Sequence, residues 1–159
     1  MTMQRILVTG AGGQIGTELV AALRSRYGDA NVVATDIQPL PQHIREAGPT
    51  ARLDVTQADA LAELVRSCNI DTIYHMAAIL SATGEEKPRL AWNVNIGGLY
   101  NVLEVARELG VRRIYHPSSI AAFGPETPKV DTPQETVLRP TTMYGITKVT
   151  GEMLGAYYH

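Results

Sequence analysis

The sequence predicts an α/β fold built on a doubly wound parallel sheet, and three observations carry that prediction. Short apolar runs rich in β-branched residues alternate with stretches whose apolar residues recur at helical spacing, so strand and helix take turns along the chain. A cluster of glycines, Gly10-Ala11-Gly12-Gly13-Gln14-Ile15-Gly16, stands between the first such strand and the first helix. An aspartate, Asp36, closes the second strand.

Each element follows from local pattern. Arg5 to Thr9 predicts a buried strand ending in glycine. Ile15, Leu19, Leu23 and Tyr27 share one helical face, and Gly28 with Asp29 ends that helix. Asn31 to Thr35 predicts the second strand. Residues 38–50 hold Pro39, Pro41, Pro49 and Gly48, which predicts loop. Arg52 to Val55 predicts a third strand, and Thr56 with Asp59 a capping box for a helix from Gln57 to Ser67. Asp71 to His75 predicts the fourth strand, followed by a small-residue loop through Pro88. Leu90 to Leu109 predicts a long helix with Trp92, Leu99, Val102, Leu103 and Ala106 on one stripe and Gly110 as its stop. Arg113 to His116 predicts a fifth strand and Pro117 to Gly124 a turn. Residues 125–142 read as another proline-rich loop, and a final helix starts near Tyr144. The whole reads as one Rossmann-type nucleotide-binding domain over residues 1–159. Its last helix runs into Tyr157-Tyr158-His159 with no capping glycine and no further strand. The expectation is therefore a fold lacking its C-terminal strands and a small substrate domain.

Composition excludes several classes. Fourteen basic against sixteen acidic residues give a net charge of −2, and no basic run exceeds Arg112-Arg113. A dedicated nucleic-acid binder is not expected. The single cysteine, Cys68, excludes a disulfide framework and a cysteine-rich zinc site. His75 has no partners at ligand spacing, so no metal site is expected. No stretch approaches a membrane span, and the N-terminus shows no signal peptide, so the expected setting is cytoplasmic.

The glycine cluster carries chemistry. Gly10, Gly13 and Gly16 give Gly-x-x-Gly-x-x-Gly; the stricter Gly-x-Gly-x-x-Gly spacing is broken by Ile15. Either spacing lets backbone approach a pyrophosphate while the helix N-terminus, from Gln14 and Ile15 onward, offers unpaired N–H groups and a positive dipole end. A P-loop would need Gly-Lys-Ser/Thr, which is missing. A glycine-rich turn without a ligand is the plainer alternative. Asp36 can accept both hydroxyls of an adenosine ribose and would repel a 2′-phosphate, and Ile37-Gln38-Pro39 supplies no arginine, so NAD is expected over NADP. Asp54 and Val55 are candidates for hydrogen bonds to the adenine, with a local capping role the alternative for Asp54.

Tyr144 and Lys148 stand at i and i+4 on the last helix. A free tyrosine, with a pKa of about 10, is a poor base at neutral pH. A nearby ammonium stabilises the phenolate, which can then accept a proton from an alcohol as hydride leaves the carbon. Ser118-Ser119, after the fifth strand, could hold the substrate oxygen. Alone, such a tyrosine–lysine pair is an ordinary surface pair; the glycine loop upstream is what raises it.

These pieces together resemble the extended short-chain dehydrogenase/reductases, also called the NAD-dependent epimerase/dehydratase family. The matching segments are Val8-Thr9-Gly10 with Gly13 and Gly16, Asp36, Leu53-Asp54-Val55, His75-Met76-Ala77-Ala78, Asn95 with Asn101-Val102-Leu103-Glu104, Ser118-Ser119 with Phe123-Gly124, and Tyr144 with Lys148. The resemblance implies NAD as cofactor, held by the glycine loop, Asp36, Asp54, Val55, Ala77, Ala78, Asn95, Tyr144 and Lys148. It implies Ser119, Tyr144 and Lys148 as the catalytic trio, with Asn95 in support. It also implies a homodimer through the 90–109 and 144–158 helices. A narrower resemblance, to short-chain-type L-threonine 3-dehydrogenases, lies in Ala78-Ile79-Leu80-Ser81-Ala82-Thr83-Gly84-Glu85, in Pro117-Ser118-Ser119-Ile120-Ala121 with Phe123-Gly124-Pro125, in Thr127-Pro128-Lys129 and in Ala156-Tyr157-Tyr158-His159. It implies L-threonine as substrate, with Ser81 and Ser119 contacting it. Nucleotide-sugar epimerases usually carry a glycine-rich or charged 78–85 loop, which makes that loop the discriminator. A nucleotide-sugar epimerase or dehydratase, and a non-catalytic NAD-sensing domain, are the competing expectations.

Overall fold

The computed structural model describes residues 5–159; the first four, part of the stretch searched for a leader, lie outside it. Five parallel strands form one sheet in the order β3-β2-β1-β4-β5: β1 Ile6–Thr9, β2 Val32–Asp36, β3 Thr50–Arg52, β4 Thr72–His75 and β5 Arg113–Tyr115. Ile6 is in register with both Val32 and Thr72, so β1 is the central strand. The chain winds outward from β1 to β3, then crosses to β4 and β5. That reversal puts a topological switch point beside β1, and ligands of such sheets bind outside the carboxyl ends of the strands there. The loop at that end of β1 is the glycine cluster.

Contacts divide the described chain into two compact units. One holds the residues through Ala77 together with Gly98–Pro117, and contains the whole sheet. All four residues of β1 are buried, as a strand covered on both faces requires. Helix α1 (Gln14–Tyr27) buries Gly16, Val20, Leu23 and Arg24. Ile15 is 65% exposed and so leaves the predicted face; the buried stripe is set by Gly16, which presses on the loop backbone. Arg24 is 3% exposed and donates to the carbonyls of Ile44 (2.6 Å) and Pro49 (2.9 Å), tying α1 to the connection between β2 and β3. Helices α3 (Ala58–Ser67) and α6 (Gly98–Leu109) pack together through Leu61 and Val65 against the Leu99, Val102, Leu103 and Ala106 stripe. Gly110, with φ +69°, stops α6 as expected.

Several boundaries differ from expectation, each for a physical reason. Residues 38–50 are not all loop: α2 (Gln42–Ala47) forms after Pro41 and buries Ile44 in the core under β1 and β2. Proline suits the start of a helix because it lacks an amide that would go unpaired there. Strand β3 lies two residues before the predicted position, fixed by the bonds Ala34 N–H to Pro49 and Leu53 N–H to Asp36. The Thr56 capping box does not form. Thr56 instead gives its N–H and hydroxyl to Asp54 Oδ1, at 2.9 and 2.7 Å, a local turn that competes with the cap.

The other unit holds Ala78–Gly97 and Ser118–His159. The loop predicted from after His75 through Pro88 is helical in its second half, as α4 (Ser81–Glu86) followed by the start of α5 (Pro88–Trp92). The expected continuous helix from Leu90 is interrupted by a π-helical turn at Asn93–Gly97. A short 3₁₀ turn spans Ile120–Ala122, and α7 runs Met143–Tyr158. Among the described residues, no helix is long and apolar enough to cross a membrane.

Candidate active site

The glycine loop is shaped from within at its two ends and left open in its middle. Gly10 has φ +65°, and a Cβ there would stand 2.5 Å from the Ala77 amide nitrogen, so Ala77 lies directly against it. A Cβ on Gly16 would stand 2.3 Å from the Gly10 carbonyl oxygen. Gly13 is different: its hypothetical Cβ meets only the Gly10 carbonyl at an ordinary 3.4 Å. Nothing in the chain demands a glycine there, which is the behaviour of a position kept bare for a ligand. Helix α1 begins at Gln14, with Thr17 N–H the first to reach back into the loop, at Gly13. The amides of Gln14, Ile15 and Gly16 lie in the first turn of α1, where a helix has no carbonyl of its own to offer them, and Ile15 beside them is exposed.

Asp36 ties the next two turns to this loop. Its Oδ2 accepts Gly12 N–H at 2.9 Å and its Oδ1 accepts Gln38 N–H at 2.9 Å. The carboxylate is thereby held at the end of β2. Asp54 uses Oδ1 on the N–H and hydroxyl of Thr56, a local turn ahead of α3, and gives that helix no side-chain cap. Val55 is buried, packed against Gly98, and its carbonyl accepts Asn101 Nδ2 at 3.0 Å.

The second unit gathers Ser119, Tyr144 and Lys148 on the 3₁₀ turn and α7. Thr142 caps α7, its Oγ1 accepting Gly145 N–H at 3.1 Å, and Glu85 Oε1 accepts Met143 N–H at 2.6 Å. Two side-chain oxygens thus fix the first turn around Tyr144. Gly145, immediately after it, lets the 3₁₀ turn close in, since a Cβ there would meet the Ala121 carbonyl at 2.2 Å. Ser119 Oγ accepts Ala121 N–H at 3.2 Å, so its own proton is left to donate outward. Lys148 Nζ lies 5.5 Å from the Tyr144 ring centroid. Lys148 is 5% exposed, and desolvation pulls its ammonium below the ordinary lysine pKa.

Other predicted residues are placed as follows. Ser81 opens α4 and is exposed; Ala78 begins the same unit and is half-buried. Asn95, 5% exposed, gives its side chain to Ile79 and Thr147. His75 accepts or donates at Thr9 Oγ1, 2.8 Å away, and stacks on His116. Among the described residues, no three of His, Cys, Asp and Glu gather to hold a metal. Sequence reasoning missed Glu85, Gly145 and Thr147; only the small size of Gly145 within a helix hinted at a close approach.

Comparison with known proteins agrees with this geometry. The profile of the NAD dependent epimerase/dehydratase family matches residues 6–159. An uncharacterised epimerase/dehydratase of Staphylococcus epidermidis is 57% identical over 99% of this chain. The chain belongs to the NAD-dependent epimerase/dehydratase family. Its cofactor is NAD. The chain spans about half the length of the curated relatives it matches (49% of the Staphylococcus epidermidis protein). Among solved structures, L-threonine dehydrogenase from Clostridium difficile is similar with a TM-score of 0.95 and 48% identity, covering 100% of this chain and 50% of its own. The NAD complex of UDP-glucose 4-epimerase from Thermus thermophilus follows at 0.85 and 28%, covering 97% and 50%.

Proposed function

We propose that this family member oxidises the 3-hydroxyl of L-threonine to give 2-amino-3-ketobutyrate. When bound, NAD supplies the hydride acceptor. Tyr144, as the phenolate that Lys148 favours, takes the hydroxyl proton and becomes the neutral phenol, while the Ser119 hydroxyl holds the substrate oxygen as it becomes a ketone. The observation that carries the substrate is the 78–85 segment. It folds as α4 onto the Tyr144 helix, through the Glu85 bond to Met143 and through Gly84, whose Cβ position lies 4.0 Å from Tyr144 Cβ. Ser81 at the head of α4 then serves as a contact for the amino-acid end. The 48% identity to a threonine dehydrogenase against 28% to an epimerase supports the same reading.

Mixing L-threonine and NAD with the protein is expected to raise NADH absorbance, and Tyr144→Phe to abolish it while NAD affinity, read by calorimetry, stays. Silence toward threonine with turnover of a UDP-sugar would establish the epimerase reading instead. Binding of NAD with no turnover of either would leave a sensing domain. We further propose a homodimer through the 90–109 and 144–158 helices, on which Leu90, Trp92, Tyr100, Met153 and Tyr157 are exposed; a monomeric mass by light scattering would sink it. A single-cysteine, NAD-linked enzyme suits the reducing cytoplasm.

A further inference from the structure

Beyond the turn that Asp36 holds, the sheet-bearing unit carries a groove of about 480 Å³, a volume within the range of small-molecule sites. Ile37, Pro39, Leu40 and Ala51 give it an apolar wall, and Arg45 from α2 and Arg52 from β3 give it two positive charges. Each guanidinium is anchored to the 37–40 loop by one bond. Arg45 Nε donates to the Leu40 carbonyl at 3.0 Å, and Arg52 Nε donates to the Ile37 carbonyl at 3.2 Å. A guanidinium has five N–H donors in a fixed fork, so the Nη groups of both arginines remain to be used. Among the described residues the ion pairs belong to Arg107 and Arg139, and neither Arg45 nor Arg52 meets a carboxylate. None of the groove's lining residues is acidic. Two cations thus line one cavity with no countercharge beside them. The segment directly after Asp36 holds no arginine, and the fold brings two to it from farther along the chain.

We propose that this groove is a second anion site, apart from the glycine loop, and that it takes a phosphate monoester with an apolar body. Guanidinium binds phosphate through charge-assisted bonds about twice as strong as neutral ones. A phosphate monoester presents three terminal oxygens, enough for two guanidinium forks, where a carboxylate presents two. Ile37 is 46% exposed and, with Pro39 and Leu40, receives the body. The groove also bears on the glycine loop. Its two anchoring carbonyls flank Gln38, whose amide is tied to Asp36 Oδ1, and Asp36 Oδ2 holds the Gly12 amide. Leu40 stands beside the same glycine, its Cδ2 lying 3.6 Å from where a Gly12 Cβ would be. An anion that engages both arginines braces this loop. Its binding and NAD binding should therefore favour each other, and by equal factors.

Phenyl phosphate is the probe, titrated by calorimetry into the NAD-saturated protein at low salt. One-to-one binding is expected, weakening as salt is raised. Arg45→Gln and Arg52→Gln should each weaken it about tenfold, the size of one hydrogen bond to a charged group. The two together should abolish it. Arg45→Lys and Arg52→Lys keep the charge without the fork and should fall between; they carry the comparison if the double glutamine variant does not fold. Phenol and inorganic phosphate, the two halves of the probe, should each bind more weakly than the whole. Saturating phenyl phosphate should tighten NAD binding about fivefold. A second source of a phosphate monoester is the ribose of a phosphorylated coenzyme, and 2′-AMP distinguishes it. If 2′-AMP displaces NAD in a way that needs both arginines while phenyl phosphate gives no heat, the arginines read a coenzyme phosphate and the proposal is overturned. Phenyl phosphate that displaces NAD, or that binds the double glutamine variant undiminished, overturns it as well. Threonine turnover enters none of these readings, so a protein inert toward threonine would defeat the function proposed above and leave this test intact.

Discussion

The two units of this chain are held together by different physics. The twelve largest fully buried side chains, from Ile6 and Leu7 to Val102 and Thr9, all lie in the sheet-bearing unit. In the unit with Tyr144, the buried positions are Ala91, Asn95, Ala122, Thr127, Gly145, Thr147, Lys148 and their small neighbours. One unit rests on apolar burial; the other rests on glycine-permitted close approach and side-chain clamps on backbone groups. Apolar packing tolerates change in many places because each contact is small. A clamp depends on single atoms. The sheet-bearing unit should therefore fail by unfolding and the unit with Tyr144 by losing alignment.

The comparison can be broken in four ways. Leu7→Ala, at a fully buried strand position, should cost about 2–5 kcal/mol and lower the melting temperature of the whole chain. A loss confined to NAD affinity would contradict the sheet's role. Gly145→Ala sets a methyl against the Ala121 carbonyl and should cost about 1–3 kcal/mol. Turnover should drop far more than the melting temperature implies, which parallel calorimetry and kinetics would show. Thr142→Ala removes the α7 cap and should cost about 1 kcal/mol, read from denaturant midpoints. The smallest effect belongs to Lys148, whose pKa burial depresses. Below that depressed value both folded and unfolded chains carry the charge, so the burial penalty is fully present. Between it and the unfolded value of about 10.4 the folded chain has shed the proton first, and stability rises with pH. Lys148→Met should thus be inactive yet more stable at neutral pH, with its advantage narrowing toward alkaline pH; a constant gap in melting temperature would contradict this.

The same contrast explains what the sequence made legible. The glycine loop, Asp36 and the β-branched strands are signals within a few residues of one another, set by backbone sterics and periodicity, and the structure places them as read. The proximity of Tyr144 and Lys148 was legible because the two are helical neighbours. Glu85 and Met143, or Asn95 and Thr147, lie more than fifty residues apart, and no local pattern links a carboxamide on a π-helical turn to a hydroxyl on another helix. Helix α2 escaped because three prolines outweighed Ile44, whose burial only tertiary packing reveals. Ile15 misled because its spacing fitted a core face while its place beside the loop exposes it.

Asp36 is a splint: one carboxylate joins the amides of Gly12 and Gln38. The sequence also makes it the expected judge of the coenzyme, and that expectation would write coenzyme choice and loop order in a single side chain. Any lineage, or any engineer, that trades this aspartate for a small residue to admit a 2′-phosphate unties two turns in the same step. Asparagine keeps an acceptor for one of them. The path toward a different coenzyme is narrow here for mechanical reasons before electrostatics enters.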